Sequence, residues 1–327
     1  MDTNIYDLNL EELAEYVVGI GEPKYRAKQL FQTTNTSNLP ASLRELVRLP
    51  KIEKQQVSKD GTKKFLLQLH DGNLVECVLL TQDYGNTVCV SSQVGCKMGC
   101  VFCASGADGF IRNLSAGEML AQVLLTNSVA KVSNVVVMGS GEPFDNFDNT
   151  AKFLELVTHS AGINIGARNI SVSTVGLPDK IRAFADLGTQ VNLCISLHAP
   201  NDTVRGKIMP VAKRYPLAEI MAAAKYFFDK THRRVIFEYA LIDGVNCMPE
   251  HALELVRLLR GAGFAVHVNL INLNPAAGVL RPPSKDAGKK FMDAVIKGGV
   301  SCTMRKSRGT DIAGACGQLK TKFKERK

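Results

Sequence analysis

The chain predicts an α/β fold, a partial (β/α)6 TIM-like barrel preceded by a small helical accessory module and a short β meander. Three observations carry this. From about residue 87 onward, short β-branched runs alternate with amphipathic stretches of helical length, the pattern of parallel βαβ units. Before them, Asp60-Gly61, Asp71-Gly72-Asn73 and Tyr84-Gly85-Asn86 punctuate three β-rich runs as turns of a meander do. Residues 1 to about 50 carry helix-start signals instead.

Taken in order, Asn9 followed by Glu12 reads as a capping box opening a helix over 10–18, and Pro23 suits the first turn of a second over 24–31. The meander occupies 64–69, 74–81 and 87–92. Ser115 and Glu118 form another capping box for a helix through Val129, and a strand over 134–138 runs into Gly139-Ser140-Gly141-Glu142-Pro143. Further strands are expected at 169–173, 191–196, 235–241 and 265–271, separated by helices over 149–160, 178–187, 217–230 and 249–261. The strand before the cysteines makes six. The expected division is an accessory module over 1–55, a β extension over 56–90, the barrel over 91–305 and a C-terminal segment over 306–327.

Composition fits an enzyme with a full core: 327 residues, 45% hydrophobic and 22% charged. The first residues are acidic and lack an apolar run, so no signal peptide is expected, and no stretch approaches the roughly 18 apolar residues of a membrane span. Nine scattered cysteines suit a reducing cytoplasm better than a disulfide framework. The formal net charge of +9 asks for a polyanionic partner. Basic residues gather at Lys213-Arg214, over 230–234, at Arg305, Lys306 and Arg308, and in a tail with Lys320, Lys322, Lys324, Arg326 and Lys327.

Cys96, Cys100 and Cys103 stand in the run Gly95-Cys96-Lys97-Met98-Gly99-Cys100-Val101-Phe102-Cys103, three thiols with no fourth at a matching interval. Three thiolates can hold three irons of a 4Fe-4S cluster and leave the fourth open to a small molecule, whereas structural zinc takes four ligands. A zinc set completed by Cys89 is the alternative at this point, with plain packing a third. The C-x3-C-x2-C spacing resembles the signature of radical S-adenosylmethionine (SAM) enzymes, in which SAM chelates the open iron and one electron breaks a carbon-sulfur bond.

Polar motifs recur directly after the strands: the cysteines, Gly141-Glu142, Ser173-Thr174-Val175-Gly176, Ser196-Leu197-His198 and Asn272-Leu273-Asn274-Pro275. In a (β/α) barrel these ends converge on one face, so one pocket is expected. Gly141, Glu142, Ser173, Ser196, Leu197, His198 and Asn274 are candidates to bind the ammonium, carboxylate and ribose of a zwitterionic nucleoside.

Nearly the whole chain resembles one family, the radical SAM RNA methyltransferases of the RlmN and Cfr type. The most specific pieces are Cys89-Val90-Ser91-Ser92-Gln93-Val94-Gly95-Cys96, Ser196-Leu197-His198-Ala199-Pro200-Asn201-Asp202, and Arg305-Lys306-Ser307-Arg308-Gly309 ahead of Asp311-Ile312 and Cys316. The resemblance implies that Cys316 takes a methyl from one SAM and that a second SAM in the same site yields the radical that removes a hydrogen from it. It further implies that Cys89 releases the RNA adduct by forming a disulfide, and that Glu76 is the proton acceptor. The implied substrates are an adenine in the peptidyl-transferase centre of 23S rRNA and the adenine 3′ of a tRNA anticodon, at carbon 2 for RlmN-type enzymes; Cfr-type relatives attack carbon 8 of the rRNA adenine. A monomer served by a reduced flavodoxin or ferredoxin is expected, with no membrane partner. Residues 32–39 depart from the family in being short, and the chain has no tryptophan; a substrate range narrowed to rRNA is the corresponding expectation. The competing class is an RNA-binding protein with structural zinc.

Overall fold

The computed structural model describes residues 4–32, 39–47, 49–107, 109–274 and 280–320. Helix α1 (Leu10–Gly19) opens at the expected capping box, where Asn9 Oδ1 accepts from the Glu12 amide at 2.9 Å and Glu12 Oε2 accepts from the Asn9 amide at 2.7 Å. Two shorter helices follow, α2 (Tyr25–Gln32) and α3 (Ala41–Arg44). The meander comes next. Strands β1 (Lys51–Val57), β2 (Lys63–Gln68), β3 (Leu74–Leu80) and β4 (Asn86–Cys89) pair in turn, each antiparallel to the one before. A separate ribbon of β5 (Gln93–Gly95) and β6 (Phe110–Asn113) brackets the cysteine loop.

Six βα units start at β4, which leads past the ribbon to α4 (Ala116–Val129). Then β7 (Val132–Val137) leads to α5 (Phe147–Thr158), and β8 (Ile170–Thr174) to α6 (Pro178–Asp186). Strand β9 (Asn192–Ser196) is followed by α7 (Asp202–Ile208) and α8 (Leu217–Thr231), β10 (Val235–Leu241) by α9 (Pro249–Arg260), and β11 (Val266–Asn272) by α10 (Lys285–Lys297). Strand β12 (Cys302–Arg305) is appended beyond the sixth unit. The main sheet runs β1-β2-β3-β4-β7-β8-β9-β10-β11-β12, and its pairings from β4 onward are all parallel, whereas β5 and β6 pair antiparallel in their own ribbon. Among the described residues β12 has one sheet neighbour, so backbone bonding does not close the barrel.

The expected six strands and their helices are present, with ends shifted by one or two residues. Among the described residues, four strands lie outside the expectation: β1, the short β5 and β6 of the separate ribbon, and β12. β1 is almost wholly exposed and has no inward apolar alternation; its lysines mark it as a guarded sheet edge. β12 is only four residues, too short for a periodicity to register. The single strand expected over 87–92 is shorter. After Cys89 the chain stays beside β7, with the Val90 amide on Val136 O at 2.9 Å, and then leaves the sheet where the Ser92 and Gln93 amides both donate to Ser140 O.

The N-terminal helices are docked on the barrel. Leu13, Val17 and Leu30 belong to the same apolar cluster as Leu120, Phe153 and Leu156. The Gly117 amide donates to Asp7 Oδ1 at 2.6 Å, and Lys152 pairs with Glu12 at 2.9 Å. Behind the sheet, Phe184 stacks on Phe227 at 5.9 Å and meets Phe144 at 5.2 Å, each pair adding about 0.5–1.5 kcal/mol beyond burial.

The strand ends facing the site are tied by a buried arginine. Asn201 caps α7 by accepting from the Val204 amide at 2.8 Å, which fixes the start of the helix. Arg205 on that helix is fully buried. Its Nε donates to Leu197 O at 3.1 Å, Nη2 to Val175 O at 2.5 Å and Ser196 O at 3.2 Å, and Nη1 to Tyr215 O at 3.5 Å. Burial lowers its pKa only to about 10, so the guanidinium stays charged at neutral pH. Substitution Arg205→Met strands these carbonyls without donors and is expected to cost on the order of 3 kcal/mol. A drop in the urea midpoint at unchanged slope is the expected signature; a loss below about 1 kcal/mol would show that the carbonyls find other partners.

Candidate active site

The cysteine loop leaves β5 at Gly95, whose φ of +77° is left-handed and where a Cβ would stand 2.0 Å from Gly109 O, so only glycine lets the two sides of the loop meet. Behind the loop, the Val101 amide donates to Ile208 O at 3.0 Å and the Ala104 amide to Gly317 O at 2.8 Å. The loop is thus fastened to α7 on one side and to the C-terminal segment on the other. Cys96, Cys100 and Cys103 all line one open cleft of about 1060 Å³.

Burial pushes the Cys96 thiol up to about 12 and Cys100 higher still, with the neighbouring thiols adding to both shifts. Such thiols keep their protons until a cation displaces them. Among the described residues no three Cys, His, Asp or Glu side chains converge on one point as a lone ion requires. Three neighbouring thiols on one cleft suit a cubane with several metal corners. Cys89, the fourth ligand of a zinc set, lines a different cleft. The donor set fits the 4Fe-4S cluster.

The same cleft collects Gly141, Glu142, Ser173, Ser196, His198 and Asn274 from successive strand ends. Gly141 has φ +105°, and a Cβ there would lie 2.7 Å from the Gln93 amide nitrogen, so the turn after β7 can press against β5. Gln93 Oε1 then accepts from the Glu142 amide at 2.8 Å. The Glu142 carboxylate accepts from the Phe144 amide at 3.0 Å and the Val175 amide at 2.8 Å, and burial raises its pKa to about 7. Ser173 and Ser196 hydroxyls lie 3.4 Å apart.

His198 adopts a left-handed backbone conformation (φ +56°), rare for a non-glycine residue. Its carbonyl accepts from Asn246 Nδ2 at 2.7 Å and its Nδ1 accepts from the Ala240 amide at 2.9 Å. Burial, with Arg205 adding to it, lowers the imidazole pKa to about 3, which keeps the ring neutral. Leu197 is the exception in the expected set. Its side chain is fully buried in the apolar core, its amide donates to Glu238 O at 3.0 Å and its carbonyl is held by Arg205. Pro275, expected beside Asn274, lies outside the described residues.

A second cleft of about 1210 Å³ lies between β12 and the β3, β4 and β7 strands, where the barrel lacks backbone closure. Cys89 lines it, and so do Lys306 and Arg308. Cys316 lines both clefts, as do Arg305 and Asn274. The Cys316 residue is exposed to solvent, and desolvation by the protein packed around its sulfur raises the thiol to about 11. Cys89 is raised to about 12 by burial and then by the proximity of Cys316.

The segment bearing Cys316 is laced down. Asn274 Nδ2 donates to Cys316 O at 3.2 Å and Ser105 Oγ to Leu319 O at 2.9 Å. Asp311 accepts from Ser58 Oγ at 2.5 Å, and Asp60 accepts from the Gly309 amide at 3.0 Å. Glu76 lines neither cleft; it pairs with Lys64 at 3.1 Å and accepts from the Lys320 amide at 2.9 Å, while Lys64 donates to Ala313 O at 3.3 Å. Of the basic tail, Lys322, Lys324, Arg326 and Lys327 lie outside the described residues.

Glu238, a cleft residue, lies outside the expected set. It accepts from Asn269 at 3.0 Å and pairs with Arg305 at 3.3 Å; Asn269 accepts from Thr303, whose hydroxyl lies 3.0 Å from His267. Glu238, Asn269 and Thr303 are in register across three strands. The available signal is His267 and Asn269 alternating with Val268 and Leu270, a polar face turned toward the barrel interior.

Residues 90–259 match the model of the Radical SAM superfamily. A relative in Thermoanaerobacter sp. (strain X514), described as "Probable dual-specificity RNA methyltransferase RlmN", is 46% identical over 99% of both chains. One of the same description in Geobacillus thermodenitrificans is 48% identical over 98% of this chain and 93% of its own. The crystal structure of a radical SAM methyltransferase from Sphaerobacter thermophilus superposes with a TM-score of 0.92 at 42% identity, covering 96% of this chain and 98% of that one. The chain belongs to the radical SAM superfamily and, within it, to the RlmN family of RNA methyltransferases.

Proposed function

We propose that the protein methylates carbon 2 of an adenine in the peptidyl-transferase centre of 23S rRNA, and of the adenine 3′ of a tRNA anticodon, through a methylated Cys316. The observation that carries the reading is the place of Cys316 on both clefts, with Cys96, Cys100 and Cys103 on one and Cys89 with Lys306 and Arg308 on the other. An unactivated aromatic carbon bearing hydrogen is no nucleophile, so the new carbon has to arrive as a radical. The cluster, when bound to the three cysteines, supplies the electron for homolysis of SAM.

Around it, Gly141, Glu142, Ser173, Ser196, His198 and Asn274 bind the SAM nucleoside and amino-acid groups, two molecules being used per turnover in one site. The neutral His198 offers hydrogen bonding without adding a charge that would repel a sulfonium. Cys316 accepts the first methyl as a nucleophile. The 5′-deoxyadenosyl radical takes a hydrogen atom from that methylthio group, and the carbon radical adds to adenine carbon 2. The ring gives up its carbon-2 proton and one electron, which offsets the electron used to cleave SAM. The Cys89 thiolate then attacks the Cys316 sulfur to form a disulfide and free the RNA, while the departing carbon takes up a proton as the methyl group. The family resemblance makes Glu76 the proton acceptor; it lines neither cleft, and by contact it holds the Cys316 segment through the Lys320 amide. A flavodoxin or ferredoxin supplies electrons. Lys306 and Arg308 suit phosphate contacts around an unstacked base.

Anaerobic incubation with SAM and RNA, followed by mass spectrometry of nucleosides, is expected to give 2-methyladenosine; 8-methyladenosine would move the protein to Cfr-type chemistry. Substitution Cys316→Ala is expected to abolish methyl transfer, and Cys89→Ala to leave RNA covalently attached to the protein. Turnover in the first variant, or clean release in the second, would overturn the assigned roles.

Glu142 gives a pH prediction. Its folded pKa of about 7 lies above the ordinary 4.5, so the folded state holds the extra proton between those values. The stabilisation is complete below 4.5 and is lost as pH rises through about 7, amounting to about 3 kcal/mol. In SAM-free protein, Glu142→Gln is expected to flatten that decline in the urea midpoint. An unchanged decline would mean that the carboxylate is already ionised below that range.

A further inference from the structure

We propose that Tyr84 is a stacking platform for the nucleobase that flanks the target adenine, an assignment that rests on the RNA reading above. Tyr84 is 74% exposed, more than any other large apolar side chain among the described residues, yet it lines the second cleft with Gln82, Lys306 and Arg308. Exposing an aromatic ring to water has a cost, and here it is done on a rigid mount. The Gly85 amide closes the turn on Gln82 O at 3.0 Å. Gly85 has φ +119°, and a Cβ there would lie 2.2 Å from Ser133 Oγ, so the turn lies directly against β7. Ser133 Oγ donates to Asn86 O at 3.2 Å, and Asn86 Nδ2 to Lys131 O at 2.8 Å, fixing the next residue as well.

A rigidly presented ring beside two cations fits a single-stranded nucleic acid, whose bases stack on the ring while its phosphates meet the cations. Tyr84 is highly exposed and lines only the second cleft, whereas Cys316 also lines the first cleft with the cysteine loop, so the stacked base is a neighbour of the one that reacts. Every base has a π-face, and the contact therefore adds affinity with little sequence preference.

The test uses the anaerobic holoenzyme and an RNA stem-loop carrying the target adenine, with and without an abasic nucleotide on its 5′ or 3′ side. Tyr84→Ala is expected to raise the KM for RNA about tenfold, with kcat at saturating RNA unchanged. Tyr84→Phe and Tyr84→Trp are expected to keep wild-type KM. One of the two abasic RNAs should cost the wild type the same factor and cost Tyr84→Ala nothing more. Independent, multiplying losses, or a Tyr84→Phe defect equal to that of Tyr84→Ala, would overturn the platform. 5′-Deoxyadenosine formed from SAM without RNA reports that each variant is folded and loaded. If wild type cleaves SAM but methylates no RNA, the functional reading fails and takes the platform with it. If wild type methylates RNA and Tyr84→Ala matches it in KM, only the platform fails.

Discussion

A single buried cation organises the face of the barrel where the chemistry is placed. The guanidinium of Arg205 binds carbonyls at the ends of β8 and β9 and one more at Tyr215, replacing backbone bonding that strands lose where they stop. Once Ser196 and Leu197 are fixed, His198 is carried into its left-handed conformation, and its ring receives the Ala240 amide from β10. Asn246 completes the circuit by donating to both His198 O and Ala240 O at 2.7 Å and accepting from the Ile242 amide at the same distance. One helix residue thereby sets the relative placement of three adjacent strand ends.

The two clefts differ in their linings. One cleft gathers thiols and small polar groups from within the barrel, and the other is bounded by cations and opens outward. Cys316 belongs to both, and its segment is fastened at both ends: Asp311 and Asp60 bind it to the meander, and Ser105 and Ala104 bind it to the cysteine loop. The segment is short of regular structure, so side-chain hydrogen bonds do what a helix or strand would do elsewhere.

Much of this was legible in residues before any coordinates. Asn9 with Glu12 and Ser115 with Glu118 mark two helix starts because a capping box is a local device, readable from four positions. The strand-end motifs are legible because parallel units repeat one geometry, and six of the seven expected binding residues do face one cleft. What stayed hidden is non-local. Arg205 looks like any helix arginine until β8 and β9 stand beside it. Glu76 carries no local sign that its partners are Lys64 and the Lys320 amide, the latter from the far end of the chain. Glu238 sits mid-strand, where a charged residue reads as solvent-facing unless the register with Asn269 is known.

The strand order also bears on what shape of molecule can be served. Because β12 has one bonded neighbour among the described residues, the wall of the barrel is parted along its side, and the cation-lined cleft occupies that parting. A closed ring would admit only what could be lowered through its rim. A lateral slot lets a folded polymer lean one extruded loop inward while its bulk stays outside, so neither a chain end nor a complete unfolding of the substrate is needed for an interior position to be reached.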